Sequence, residues 1–124
     1  MIHKEITSVD HTYALEKFLQ AERMLCEGLG DIKERLRDAY LCFHVLHQDD
    51  IPDELKEEFQ WVINRLTSKP PLVPLFSDKV CSGRVEQTLH LMRRKTAGEI
   101  ADRIRYLCRR LSEMVENDSK GKAQ

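Results

Sequence analysis

Ile32, Leu36, Ala39, Phe43 and Leu46 follow one another at intervals of 4, 3, 4 and 3, and Ile100, Ile104, Leu107, Leu111 and Met114 repeat that series. This spacing lays an apolar stripe along one face of a helix, whereas a half-buried strand needs apolar residues at every second position. Leu15, Phe18, Leu25 and Leu29 form a similar stripe over about His11 to Glu27. Leu55, Phe59, Val62 and Leu66 form another, and Val85, Leu89 and Met92 a shorter one. No segment sustains period-2 alternation, and no Asn-Gly or Asp-Gly hairpin turn occurs. The expected fold is all-α, a four- or five-helix bundle, with Leu36, Phe43, Phe59, Leu66, Ile104, Leu107 and Leu111 in its core.

The punctuation between the stripes agrees. Gly28 and Gly30 stop the first helix, and the short turn makes the first two helices antiparallel. Asp31 opens the second with Glu34 three residues on, the spacing of a capping box. Asp49-Asp50-Ile51-Pro52-Asp53-Glu54 reads as a helix start, because carboxylates favour the positive end of the helix dipole and proline is tolerated in a first turn. Ser82 is positioned to cap the fourth helix, and Thr96-Ala97-Gly98-Glu99 reads as a second capping box opening the fifth. Between the third and fourth helices, Lys69-Pro70-Pro71-Leu72-Val73-Pro74-Leu75-Phe76 holds three prolines in five residues, which forbids helix. Its apolar residues suit a strap lying across the helices. The alternative is a segment that docks into a partner's aromatic groove.

With 124 residues the chain has the size of one domain, 1–124, and buries a core without covalent staples. Residues 1–9 and 117–124 are expected to fray. No apolar run is long enough to cross a bilayer, and Met1 to Ile6 lacks the features of a secretory leader, so the expected location is cytoplasmic. Cys26, Cys42, Cys81 and Cys108 form no Cys-x-x-Cys pair and read as buried thiols in a reducing compartment. Cys81, beside Ser82-Gly83, is the one expected to be exposed. No cofactor is implied.

The net charge of −1 conceals an asymmetry. Residues 1–68 hold 8 basic and 14 acidic side chains, whereas 84–110 hold 8 basic and only 3 acidic. Either the acidic helices pair with the basic ones inside the fold, or the basic region meets an acidic partner, a phosphate or nucleic acid. Its sharpest cluster is Arg93-Arg94-Lys95, expected just before a Thr96 cap, with Arg103 two turns on. A junction of helix ends that exposes N–H groups can hold an anion. A pI of about 6.5 is low for a dedicated nucleic-acid binder.

Three chemical sites come into consideration. His44 and His47 share a helix face at a spacing of three, with Asp49 and Asp50 behind them, a set able to ligate a divalent metal. Inward Glu residues and Glu-x-x-His motifs, which carboxylate-bridged metal bundles need, are missing, so no metal is assigned. Cys81 has no activating histidine nearby in sequence. Glycine-rich phosphate loops, Gly-x-Ser-x-Gly and His-Glu-x-x-His are likewise missing.

Arg37-Asp38-Ala39-Tyr40-Leu41-Cys42-Phe43-His44 is an Arg-x6-His string with a polar residue directly after the arginine. It resembles the pattern of the HEPN family, small helical bundles that often act as RNases. The resemblance implies His44 as acid–base and Arg37 as the group that holds the phosphate.

The leading reading is a non-enzymatic helical binding or regulatory protein acting through protein–protein contacts. HEPN-like RNase activity is the alternative, and phosphate or nucleic-acid binding through the 84–110 region comes third. The apolar band of the last helix, from Ala97 to Val115, is wide enough to suggest a homodimer.

Overall fold

The computed structural model describes residues 11–71 and 83–122. Among these it holds five α-helices, α1 (Thr12–Glu27), α2 (Ile32–Phe43), α3 (Lys56–Leu66), α4 (Arg84–Leu91) and α5 (Arg94–Lys122), with 3-10 turns at Gln48–Asp50 and Asp53–Leu55. No strand occurs among the described residues. None of the described helices is long and apolar enough to cross a membrane. The expected terminal segment 1–9, the strap residues Leu72 to Phe76, Cys81 and Ser82 lie outside the described residues.

Each stripe turns inward. Ala14, Phe18, Ala21 and Leu25 of α1, Leu36, Ala39 and Phe43 of α2, and Phe59, Val62 and Leu66 of α3 are buried, all in one cluster with Ile100, Ile104, Leu107 and Leu111 of α5. All seven residues expected in the core are there. At its centre three helices meet through rings. Phe18 stacks on Phe43 with centroids 4.9 Å apart, and Phe59 presents an edge to Phe18 at 6.2 Å.

α5 is the common neighbour of α1, α2 and α3. Arg103 of α5 pairs with Glu58 of α3, while Arg65 at the far end of α3 lines a hollow with Thr96 at the start of α5, so these two helices are antiparallel. Asp31, just past the end of α1, pairs with Arg94 at the start of α5, while Glu22 within α1 lies near Cys108 further along, which makes α1 antiparallel to α5 as well. Much of the wide apolar band expected to spill over from α5 is therefore covered within the chain: Ala97, Ala101 and Cys108 are buried beside the main stripe, while Met114 and Val115 are half-buried.

The boundaries differ from the expected ones in informative ways. α1 ends at Glu27, and Gly28 caps it with its N–H on the Met24 carbonyl. Leu29, placed on the stripe by its spacing, is 89% exposed because the helix has already stopped. A Cβ at Gly28 would collide with the Met24 carbonyl oxygen, and Gly30 has φ +94°, so both positions of the turn need glycine. Arg35 braces the turn from α2, its guanidinium donating to the Leu25 carbonyl at 2.7 Å.

α2 also stops early, at Phe43, and Leu46 is buried from the following loop rather than from the helix. Instead of one continuous third helix from Asp49, two 3-10 turns come first and bury Ile51, Pro52 and Leu55. Asp50 accepts the His47 N–H at 2.9 Å in the first turn, and its carbonyl accepts from His11 Nδ1 at 3.1 Å, tying the loop to the start of α1. α5 begins at Arg94, two residues before the expected cap, so Thr96 lies inside the helix. Its last turns extend through Asn117 to Lys122.

Two outcomes test this account. Ile104 is fully buried, so Ile104→Asp places an unpaired charge in the core at a cost of about 4 kcal/mol or more, against a typical total of ~5–15. Cooperative thermal unfolding should disappear from the dichroism melt of that variant. Asp31 accepts the Lys33 and Glu34 N–H groups at 3.0 and 3.1 Å and pairs with Arg94 at 3.2 Å. The Glu34 N–H first, and Arg94 second, hold its carboxyl below the ordinary 3.8. A lowered folded pKa gives stability that is present above 3.8 and lost as pH falls through the folded value. Asp31→Asn should melt earlier than the parent at pH 7, and the gap should narrow progressively below about pH 3.8.

Candidate functional site

α2 and α4 are antiparallel neighbours, in contact although 57 residues separate Lys33 from the His90 carbonyl that its Nζ reaches at 3.4 Å. The same face of α2 that carries Lys33 also carries Arg37, Tyr40 and His44, spaced by three and four residues. A groove runs between the helices as two hollows of about 410 and 400 Å³ that share Arg37 and Glu86. Asp31, Lys33 and His90 line one end, and Tyr40, His44, Thr67 and Arg84 the other. Val85 and Leu89, both buried, form the apolar side contributed by α4.

Arg37 and His44 are thus brought to one hollow, with Arg84 entering from α4. Arg37 is exposed and leans on Asp38 at 3.4 Å. His44 is the C-cap of α2, and its ring stacks on Tyr40 with centroids 5.5 Å apart. Burial, and then the Glu86 carboxylate, raise the Tyr40 phenol above its ordinary 10.0, so it keeps its proton at neutral pH and can donate. The groove can hold an anionic group between Arg37 and Arg84, or an extended chain bearing both charge signs along its length.

The basic cluster is divided rather than gathered. Arg94 is engaged by Asp31. Arg103 pairs with Glu58 and lies over the Trp61 ring at 4.8 Å, a ring that Arg65 also approaches at 4.8 Å. Arg93 occupies the tight α4–α5 junction, lining a separate hollow with Arg65 and Lys69, and Lys95 is exposed in the first turn of α5. Among the described residues the acidic and basic halves therefore meet at two cross-helix pairs. Because α5 begins at Arg94, its basic residues sit at the positive end of the helix dipole, where they do not complement it.

His44 and His47 do not share a helix face. The first ends α2 and the second precedes a 3-10 turn. Among the described residues no three His, Cys, Asp or Glu side chains cluster as metal ligands do. Cys26 is exposed, unlike the expectation that assigned the exposed thiol to Cys81, and Cys42 is half-buried. Burial, and then Glu22, push the Cys108 thiol up to about 11, which keeps it protonated and inert as a nucleophile.

Lys33, Tyr40, Thr67, Glu86 and His90 were not singled out from sequence. Comparison with protein-family models, curated proteins and solved structures finds no match to this chain.

Proposed function

We propose that this protein is a small, non-enzymatic helical-bundle binding protein that acts through protein–protein contacts, with the partner lying in the α2–α4 groove. One observation carries the reading. The groove is open along α4, has the apolar Val85, Leu89 and Tyr40 within it, and carries both charge signs on its sides. Leu41, which lines one end of it, leaves 53% of its surface exposed. Apolar anchors beside mixed charges suit an amphipathic segment of another protein. The segment 69–76 belongs to the same proposal as a strap across the helices, supported by the buried Thr88 hydroxyl, which accepts the Lys69 N–H at 3.0 Å. A cytoplasmic location is supported by Cys26, Cys42 and Cys108, all free thiols.

A photoreactive side chain at position 41, introduced into the protein in its source cells, tests the groove. A discrete protein adduct is expected there, absent when the probe replaces the exposed Glu57 on α3, and lost on reversing the charges of Arg37 and Glu86. Equal adducts at both positions, or none at 41, overturn the reading.

HEPN-like RNase activity is a second reading, favoured by the convergence of Arg37, His44 and Arg84 on one hollow. Structured and single-stranded RNA should stay intact with the purified protein under the first reading. Cleavage that falls at least about 100-fold in His44→Ala replaces it with the second.

A further inference from the structure

A second open face lies along the seam of α1 and α5, with no lining residue in common with the α2–α4 groove. A hollow of about 570 Å³ is lined there by Leu19 and Glu22 from α1 and by Asp102, Arg105, Tyr106 and Arg109 from α5. Leu19 is 47% exposed, an apolar side chain that the chain itself leaves half uncovered. Asp102, Arg105 and Arg109 lie three and four residues apart and so share one line along α5. Among the described residues none of Glu22, Asp102, Arg105 or Arg109 forms an ion pair, although α5 uses Arg94, Arg103 and Arg110 in pairs elsewhere. Arg109 instead lies over the Tyr106 ring at 5.6 Å.

The two ends of this line, Asp102 and Arg109, are complementary in charge. A carboxylate at 102 and a guanidinium at 109 stand two turns apart on the same face. When such a helix meets a second copy of itself antiparallel, about a two-fold axis between Arg105 and Tyr106, each Asp102 faces the other copy's Arg109. A two-fold interface makes that contact twice, since residue i meeting j requires j to meet i. One turn before Asp102, Gly98 weakens the helix without a reason among the described residues, where a Cβ would meet nothing within 4 Å. A second helix passing close gives it one.

We propose that the α1–α5 face is a homodimer interface, in which α5 packs antiparallel on α5 of a second copy and Asp102 pairs with Arg109 across the two-fold axis. The inference is independent of the groove on α2 and α4. It also differs from a dimer driven by the apolar band of α5, because that band is buried within one chain from Ala97 to Leu111. Exposed ion pairs with a single leucine on each side make a weak, salt-sensitive association.

Sedimentation equilibrium of the full chain, from micromolar to near-millimolar concentration at low and high salt, tests it. The parent should approach twice the 14.5 kDa chain mass at the high end, and dissociate more readily as salt rises. Asp102→Arg and Arg109→Asp both alter exposed positions, so each should keep the parental dichroism spectrum and melt while sedimenting as a monomer. Mixed in equal amounts, the two variants should dimerise again, because both guanidinium groups of the first then face carboxylates of the second across the axis. Charge pairing within one chain cannot produce that rescue. A parent that remains at 14.5 kDa throughout overturns the proposal and leaves the face to a partner of different sequence. Single variants that dimerise as the parent does, or a mixture that stays monomeric, overturn it too.

Discussion

Phe18, Phe43 and Phe59 come from three different helices and touch at one point. Helices of 16, 12 and 11 residues are marginal alone, because the nucleation cost of each is barely recovered over so few turns. Their stability comes from shared burial, and fully burying one such aromatic contributes about 1.5–3 kcal/mol. The ring cluster fixes where the three axes pass each other, and the stripe of α5 lines the same core. The placement of both open faces follows from that packing: what α2 does not give to the core it presents to α4, and what α1 and α5 leave over forms their seam.

Around this core the polar interactions set the ends of elements. Asp31 satisfies two N–H groups at the start of α2 and also holds Arg94 at the start of α5, so one carboxylate registers two helix N-termini. Arg35 does the converse at the C-terminus of α1, supplying a donor to a carbonyl that the helix leaves without a partner. The Glu58–Arg103–Trp61 contact works at the α3–α5 seam, where a guanidinium is shared between a carboxylate and a ring face. These are exposed or half-exposed contacts, so they set geometry more than they add stability.

The fold class was legible because periodicity is a local signal, and the stripes of Leu36 to Phe43 and Ile100 to Leu111 each carry it strongly. The errors fell at helix ends. Leu29 and Leu46 kept the period after the helix had stopped, since a spacing rule does not see a glycine cap or a loop that folds back. The pattern Thr96 to Glu99 mimicked a cap, but the last helix begins at Arg94, directly after the short reversal at Met92 and Arg93. The groove was the least legible part. It depends on α4 meeting α2 across a long stretch of intervening chain, and nothing in the local pattern of either helix specifies that contact. Arg37 and His44 were visible as a string, but Arg84 joined them only through the fold.

The helix that borders α1, α2 and α3 is also the one made last of the five. While the ribosome is still adding Ile100 to Leu111, the apolar stripes of the earlier helices have each other but lack their common neighbour. Much of the core is therefore completed only after those residues clear the exit tunnel. During that interval Phe18, Phe43 and Phe59 present an incomplete apolar surface, the kind of intermediate that aggregates or engages chaperones. The apolar faces of α1, α2 and α3 thus depend for part of their burial on a helix they must wait for.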